Sequence, residues 1–179
     1  MEEKILCKTE WVSLRKMIDP EYGVNGYDYL HEDRCDGQIV VILPYRYNPE
    51  TNLLEFLLRS EVTPPWGMNE SISSITGEVE KDSTSKILDA VRELKEEAGY
   101  EVEPQDMVFL GISRGTKSVD TVYYLFTVEL TKIEKKEATG DGTKLEAMAH
   151  CYWTSDISAA VDPMVYVAFY KFNEYFSEK

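Results

Sequence analysis

Apolar and polar positions divide the chain into short strands and two helices. Residues 37–44, GQIVVILP, are a continuous apolar run of the kind that makes a buried strand. Residues 53–58, LLEFLL, make a second strand after the turn-forming Asn48-Pro49, so a hairpin is expected between the two. Residues 71–75, SISSI, predict a short strand that stops just before Gly77. From residue 83 to 98 the period becomes helical. At about 100° per residue, Ile87, Val91, Leu94 and Ala98 share one narrow apolar face, while Asp89, Glu93, Glu96 and Glu97 gather on another. Asp82 or Ser83 is the expected N-cap, and Gly99 the C-terminal stop. Further strands are predicted over 107–112, 121–130 and 147–153, then an amphipathic helix over about 163–176. Two helices are too few to cross over between every strand pair, which predicts an α/β sandwich with mixed pairing rather than a regular βαβ series.

Ahead of this body, Ile5, Cys7, Trp11, Leu14, Tyr27 and Tyr29 recur partly in a β-like rhythm, interrupted by Asp19-Pro20 and by residues 23–26. They predict a small antiparallel element packed on the main body, with a polar break at residues 32–37. No repeat or low-complexity linker interrupts the chain.

Composition narrows the classes. At 179 residues, 43% apolar and 29% charged, the chain fits one substantial globular domain with a small accessory element. A formal charge of −14 argues against a nucleic-acid binder, because neutralising phosphates needs clustered Lys and Arg. No apolar run is long enough to span a membrane, and the acidic start MEEKILCKTEW lacks the basic and apolar regions of a secretory signal, so a cytoplasmic protein is expected. Cys7, Cys35 and Cys151 have no metal-binding spacing and read as reduced thiols in or near the core, and His31 and His150 as isolated surface or structural residues.

The acidic helix carries the candidate chemistry. Glu93, Glu96 and Glu97, at i, i+3 and i+4, bring three carboxylates towards one point, which costs stability through like-charge repulsion in a bare helix. A Mg²⁺ or Mn²⁺ ion removes that cost, because hard cations prefer several carboxylate oxygens and bridge to phosphate. The spacing alone leaves a solvated acidic face equally open.

The run Arg92-Glu93-Leu94-Lys95-Glu96-Glu97-Ala98-Gly99-Tyr100 resembles the R-E-U-x-E-E-x-G-U half of the Nudix box, where U is a bulky apolar or aromatic residue. The front half departs from the family's G-x5-E-x7-R. The stretch between Gly77 and Arg92 is one residue longer, and the expected Glu falls on Ser83 or Thr84, with Glu80 or Asp82 as acids that compensate. The resemblance implies a Nudix-type α/β/α sandwich with a mixed sheet. It also implies that Glu93, Glu96, Glu97 and the Gly77 carbonyl are metal ligands and that Arg92 orients the glutamates. The cation would neutralise the pyrophosphate and acidify a water, with one glutamate serving as base towards it.

Beyond the box, TEWVSL near the start, residues 36–44 and Gly140-Asp141-Gly142 before Glu146 are similar to the ADP-ribose pyrophosphatase branch. That likeness implies an N-terminal β-element over residues 1–35 that helps build a homodimer, a hydrolase domain over 36–179, and a late-loop catalytic glutamate, Glu146, with Asp141 behind it. The branch's E-x-P-A-G segment is here Ser73-Ser-Ile-Thr-Gly77, and its Q-x-R is reduced to Arg59-Ser60. Arg59, Trp66 and Arg114 are candidates to grip a phosphate or stack on a base. The expected reaction is cleavage of ADP-ribose to AMP and ribose 5-phosphate. Nucleoside triphosphates, dinucleoside polyphosphates or nucleotide sugars are the alternative substrates, and a nucleotide sensor without turnover the alternative class. A third reading is an interaction domain docking a partner on the aromatic stripe of Tyr166, Phe169, Tyr170, Phe172, Tyr175 and Phe176, which as a helical stripe reads first as core packing.

Overall fold

A computed structural model describes residues 1–67, 69–140 and 143–177, with the Glu146 side chain outside that set. Among the described residues, eleven strands and two α-helices follow the chain order β1 (Glu2–Lys8), β2 (Val12–Asp19), β3 (Val24–Glu32), β4 (Gln38–Ile42), β5 (Tyr45–Tyr47), β6 (Leu54–Val62), β7 (Glu70–Ser73), β8 (Ile75–Glu78), α1 (Lys86–Ala98), β9 (Val108–Arg114), β10 (Val122–Thr127), β11 (His150–Thr154) and α2 (Pro163–Ser177).

Strands β1, β2 and β3 form an antiparallel sheet of their own. The predicted turn at Asp19-Pro20 is a short 3-10 helix closed by Gly23 at φ 69°, the left-handed conformation that glycine adopts without a Cβ penalty. The main body holds two sheets, one in the order β8-β4-β10-β9 and one in the order β11-β6-β5, with β7 paired to β6. Pairing in the first is mixed, since β4 runs parallel to β10 and antiparallel to β8.

The helices cover opposite faces because β4 is apolar on both. Val40 and Ile42 pack with Ala90, Leu94 and Ala98 of α1, while Ile39 and Val41 join Met164 of α2. Phe172, the most deeply buried aromatic of the predicted stripe, packs with Leu43, Tyr45 and Phe56, whereas Tyr166 and Tyr170 are exposed. The expected α/β sandwich with mixed pairing is therefore the observed architecture. No helix among the described residues is long and apolar enough to cross a membrane.

Four local expectations are corrected. The apolar runs at 37–44 and 53–58 do not form a hairpin. At Pro44, which has no amide to donate, the chain exchanges its antiparallel partner β8 for β6 while Leu43 and Tyr45 still donate to Phe126 and Val128, and β5 rather than β4 pairs with β6. SISSI is split between β7 and β8, and Gly77 lies inside β8, opposite Val40. Helix α1 begins at Lys86 with Ser85 as N-cap, because the Ser83 side chain is turned to Asp89 and to the Ser85 carbonyl instead of capping. Cys7 is exposed, while Cys35 is buried and Cys151 partly so.

Candidate active site

Strand β8 lies against α1, with Gly77 facing the Glu93 side chain. A Cβ built on Gly77 would stand 1.8 Å from the Glu93 Cδ, so glycine is what admits this side chain between helix and sheet. Glu93 is buried, at 7% exposure, and not on a solvated face as its place on the helical wheel suggested. Asp89, one turn earlier, is also buried. It accepts from the Ser83 hydroxyl at 2.6 Å and from the Glu80 amide at 3.4 Å, and so ties the loop before the helix to the helix itself.

Arg92 gathers the surrounding acids. Its Nη2 lies 2.7 Å from Glu93 Oε1 and donates to the Glu78 carbonyl at 3.0 Å, and its Nη1 donates to Glu96 Oε2 at 2.8 Å. Its Nε stands 3.4 Å from Glu80 Oε1, within ion-pair range but without hydrogen-bond alignment. One turn beyond Glu93, the Glu97 Oε2 is 2.9 Å from Arg59 Nη1, again without hydrogen-bond alignment, and that oxygen is buried. Arg59, on β6, donates through Nε to Glu61 Oε2 at 3.1 Å, and Glu61 Oε1 accepts from Ser73 Oγ at 2.9 Å.

Burial pushes both helix carboxyls up. For Glu93 desolvation outweighs the attraction of Arg92 and raises the pKa to about 7, with Glu96 and Glu78 adding to the rise. For Glu97 desolvation raises it to about 8, with Glu93 and Glu61 adding, against the pull of Arg59 and of the Thr76 amide.

This donor set suits a hard divalent cation: only carboxylate and carbonyl oxygens are offered, two of the carboxyls sit where burial makes the charged form costly unless positive charge is near, and one buried oxygen makes no hydrogen bond. Among the described residues, no three acidic, histidine or cysteine side chains converge on one point. The acidic oxygens are present without that convergence, and Arg92 and Arg59 sit against the carboxylates.

Two cavities flank the Arg59 bridge. The smaller, about 280 Å³, is lined by Arg59, Glu96, Glu97, Thr139 and Gly140 among others. The larger, about 420 Å³, includes Glu61, Trp66, Thr116, Val119 and Tyr123 in its wall. Of the residues expected from sequence, Arg59, Glu96 and Glu97 therefore meet at one cavity, Glu93 and Gly77 lie beside them on α1 and β8, and Trp66 belongs to the other cavity. Arg114 lines neither. Its guanidinium donates to the Asp120 carbonyl at 2.8 Å. Glu146 opens a 3-10 helix, Glu146–Met148, but its side chain lies outside the described residues, as does Asp141. Sequence reasoning missed Glu61 and gave Asp89 no role. The available signals were the i, i+2 spacing of Glu61 from Arg59, which puts both on one face of a strand, and the i, i+4 spacing of Asp89 before Glu93.

No family model matches the chain, and no curated protein matches it in sequence. Solved structures do resemble it. An ADP compounds hydrolase superimposes with a TM-score of 0.68 at 11% identity, over 99% of this chain and 93% of that one. A NUDIX hydrolase of Listeria monocytogenes gives 0.55 at 18% identity, over 78% and 94%. A MutT/nudix family protein from Enterococcus faecalis gives 0.50 at 20% identity, over 65% and 42%. At identities this low the likeness establishes a shared fold and no more: the sandwich is that of the Nudix hydrolases.

Proposed function

We propose that this chain is a divalent-metal-dependent Nudix hydrolase that cleaves the pyrophosphate bond of a nucleoside diphosphate derivative, ADP-ribose foremost, to AMP and ribose 5-phosphate. The observation that carries the reading is the pair Glu93 and Glu97, one turn apart on α1, the first buried and the second partly so, whose carboxyls burial raises to about 7 and about 8 against the pull of Arg92 and Arg59. The fold shared with an ADP compounds hydrolase supports the choice of ADP derivative.

Glu93, Glu96, Glu97 and the Gly77 carbonyl would hold Mg²⁺ or Mn²⁺. When bound, such a cation supplies positive charge against the pyrophosphate and acidity to an attacking water. Arg92 orients Glu93 and Glu96 from its contacts to both. Arg59, at the mouth shared with Glu97, is the group for a phosphate oxygen, and Glu146 is assigned to assist the attack. The larger cavity has no Lys, Arg or His among its described lining residues, so it suits the uncharged organic part of the substrate, with Trp66 to stack on a base. Arg114 acts there only through the backbone it holds. Residues 1–35 are assigned to a separate β-element that joins two copies of the chain, and residues 36–179 to the hydrolase domain.

The test is turnover of a panel of nucleoside diphosphate compounds with Mg²⁺, Mn²⁺ or excess chelator. Hydrolysis is expected only with a cation, and Glu97→Gln and Glu93→Gln should each lower kcat by about 10²-fold or more, the scale lost with a group that stabilises transition-state charge. Undiminished turnover in chelator, or near-wild-type rates for both variants at saturating Mg²⁺, overturns the assignment. The arginines already facing the helix glutamates favour a nucleotide sensor as the second reading, which predicts tight binding with no product from any member of the panel.

A further inference from the structure

The link between β9 and β10, residues 115–121, is longer than the roughly 2–5 residues of most hairpin loops and walls the larger cavity through Gly115, Thr116, Val119 and Thr121. Within itself it makes few bonds: the Val119 amide reaches the Thr116 carbonyl at 3.4 Å, and the Thr116 and Ser118 hydroxyls meet at 2.8 Å. Most of its further anchors come from β3 of the N-terminal sheet. The Leu30 amide donates to the Ser118 carbonyl at 2.8 Å and the Asp120 amide to the Leu30 carbonyl at 3.2 Å, a one-residue parallel bridge on the β3 edge. The Tyr27 hydroxyl donates to the Lys117 carbonyl at 3.0 Å. Buried His31 places Nδ1 2.8 Å from Asp120 Oδ2, and the Thr121 hydroxyl donates to Glu32 Oε1 at 2.9 Å.

We propose that the N-terminal sheet is a positioning element for the larger cavity: through Tyr27, the Leu30 backbone and His31 it holds residues 115–121 in the conformation that shapes the wall, and so sets affinity for the organic half of the substrate. The inference rests on the reading that this cavity takes the nucleoside part. Physically, a long connection whose carbonyls and amides are not bonded internally exchanges among many conformations, and each external tether removes some of that freedom before ligand arrives. Among the described residues, His31 and Tyr27 line neither of the two cavities and pair with none of the helix glutamates, so they act on binding and not on the bond that breaks.

Two measurements on the full-length protein test this. Hydrogen exchange of the Leu30 and Asp120 amides, without ligand, should speed at least about tenfold in His31→Ala and Tyr27→Phe, while amides of β4 keep their rates. Binding is measured with two probes plus Mn²⁺: a methylene-bridged analogue of ADP-ribose that cannot be cleaved, and inorganic pyrophosphate. His31→Ala should weaken the analogue about tenfold, the scale of one hydrogen bond to a charged group, and leave pyrophosphate within about twofold. His31→Asn, whose amide can donate in place of Nδ1, should recover most of the loss. Tyr27→Phe keeps an exposed ring and loses only its hydroxyl, so it carries the same test if His31→Ala does not fold. Unchanged exchange at both amides, unchanged analogue affinity, or an equal loss for both probes overturns the proposal. A wild-type chain that binds pyrophosphate but not the analogue sinks the nucleoside reading and this inference with it. Wild-type binding with unresponsive variants sinks the inference alone.

Discussion

Gly77 and Gly99 flank α1 and are needed for opposite reasons. At Gly77 the space for a Cβ is taken by the Glu93 carboxyl, the far end of a flexible side chain, and no positive φ is required. At Gly99 the φ is 76° and a Cβ would stand 2.2 Å from the Lys136 carbonyl oxygen, which is backbone and cannot step aside. Gly77→Ala should therefore leave stability within about 1 kcal/mol while displacing Glu93. The expected loss of metal-dependent turnover is about 10²-fold, the scale of an ångström-sized misplacement. Gly99→Ala should cost about 1–3 kcal/mol in thermal or denaturant unfolding, from strain in the αL region and the clash. Equal stability loss in the two variants would contradict this division. Both glycines were legible from their places in the motif. Which of them serves the site and which the helix end was not, because that depends on what β8 and residue 136 bring to each.

At the scale of the element, α1 was visible in its period of apolar positions, and its acids in their spacing. Their burial was not visible: a helical wheel separates two faces but does not say that β8 and β6 cover the acidic one. Arg59 and Arg92 make that cover tolerable by placing positive charge against Glu97 and Glu93. Burial has a consequence for stability against pH. Each carboxyl has a folded-state pKa above its ordinary value of 4.5, so each binds its proton more tightly in the folded chain. The resulting stabilisation is complete below about pH 4.5 and is lost as pH rises through about 7 for Glu93 and about 8 for Glu97. Carboxyls with lowered pKa act in the opposite sense on the acid side, among them Glu101, held at about 2 by Lys136 and Lys95. The metal-free protein should thus unfold at a lower temperature at pH 8.5 than at pH 5.5. Added Mg²⁺ or Mn²⁺ should raise the midpoint more at pH 8.5, where cation and proton no longer compete. A midpoint that is flat across this range, with no cation effect, would count against both the burial and the ligand assignment.

At the scale of the whole molecule, the N-terminal sheet presents an apolar face to solvent. Cys7, Val12, Leu14 and Leu30, adjacent in the β1-β2-β3 register, are exposed, as is Trp11 beside them. A sheet face with several exposed apolar residues in register is the kind of patch that marks an interaction surface. In the proposed homodimer it is covered by a second copy of the chain, so light scattering at micromolar concentration should give twice the mass of one chain, and Leu14→Glu with Leu30→Glu should return it to monomer with the hydrolase domain still folded. A wild-type monomer would remove the dimer.

The sequence by itself determined most of the strand-forming runs, the two helices, the mixed sandwich and the spacing of the acids on α1, because period, turn residues and motif spacing are local properties written in neighbouring positions. Only the tertiary structure decided that at Pro44 the chain exchanges β8 for β6 instead of closing a hairpin, that Asp89 and Ser83 tie the loop before the helix where the motif has a glutamate, and that Glu61 reaches Glu97 through Arg59. It also decided that residues 115–121 lean on a sheet some 90 positions earlier in the chain. These are pairings between residues far apart in sequence, chosen by which surfaces pack and which buried charges find partners, and no window along the chain contains both members.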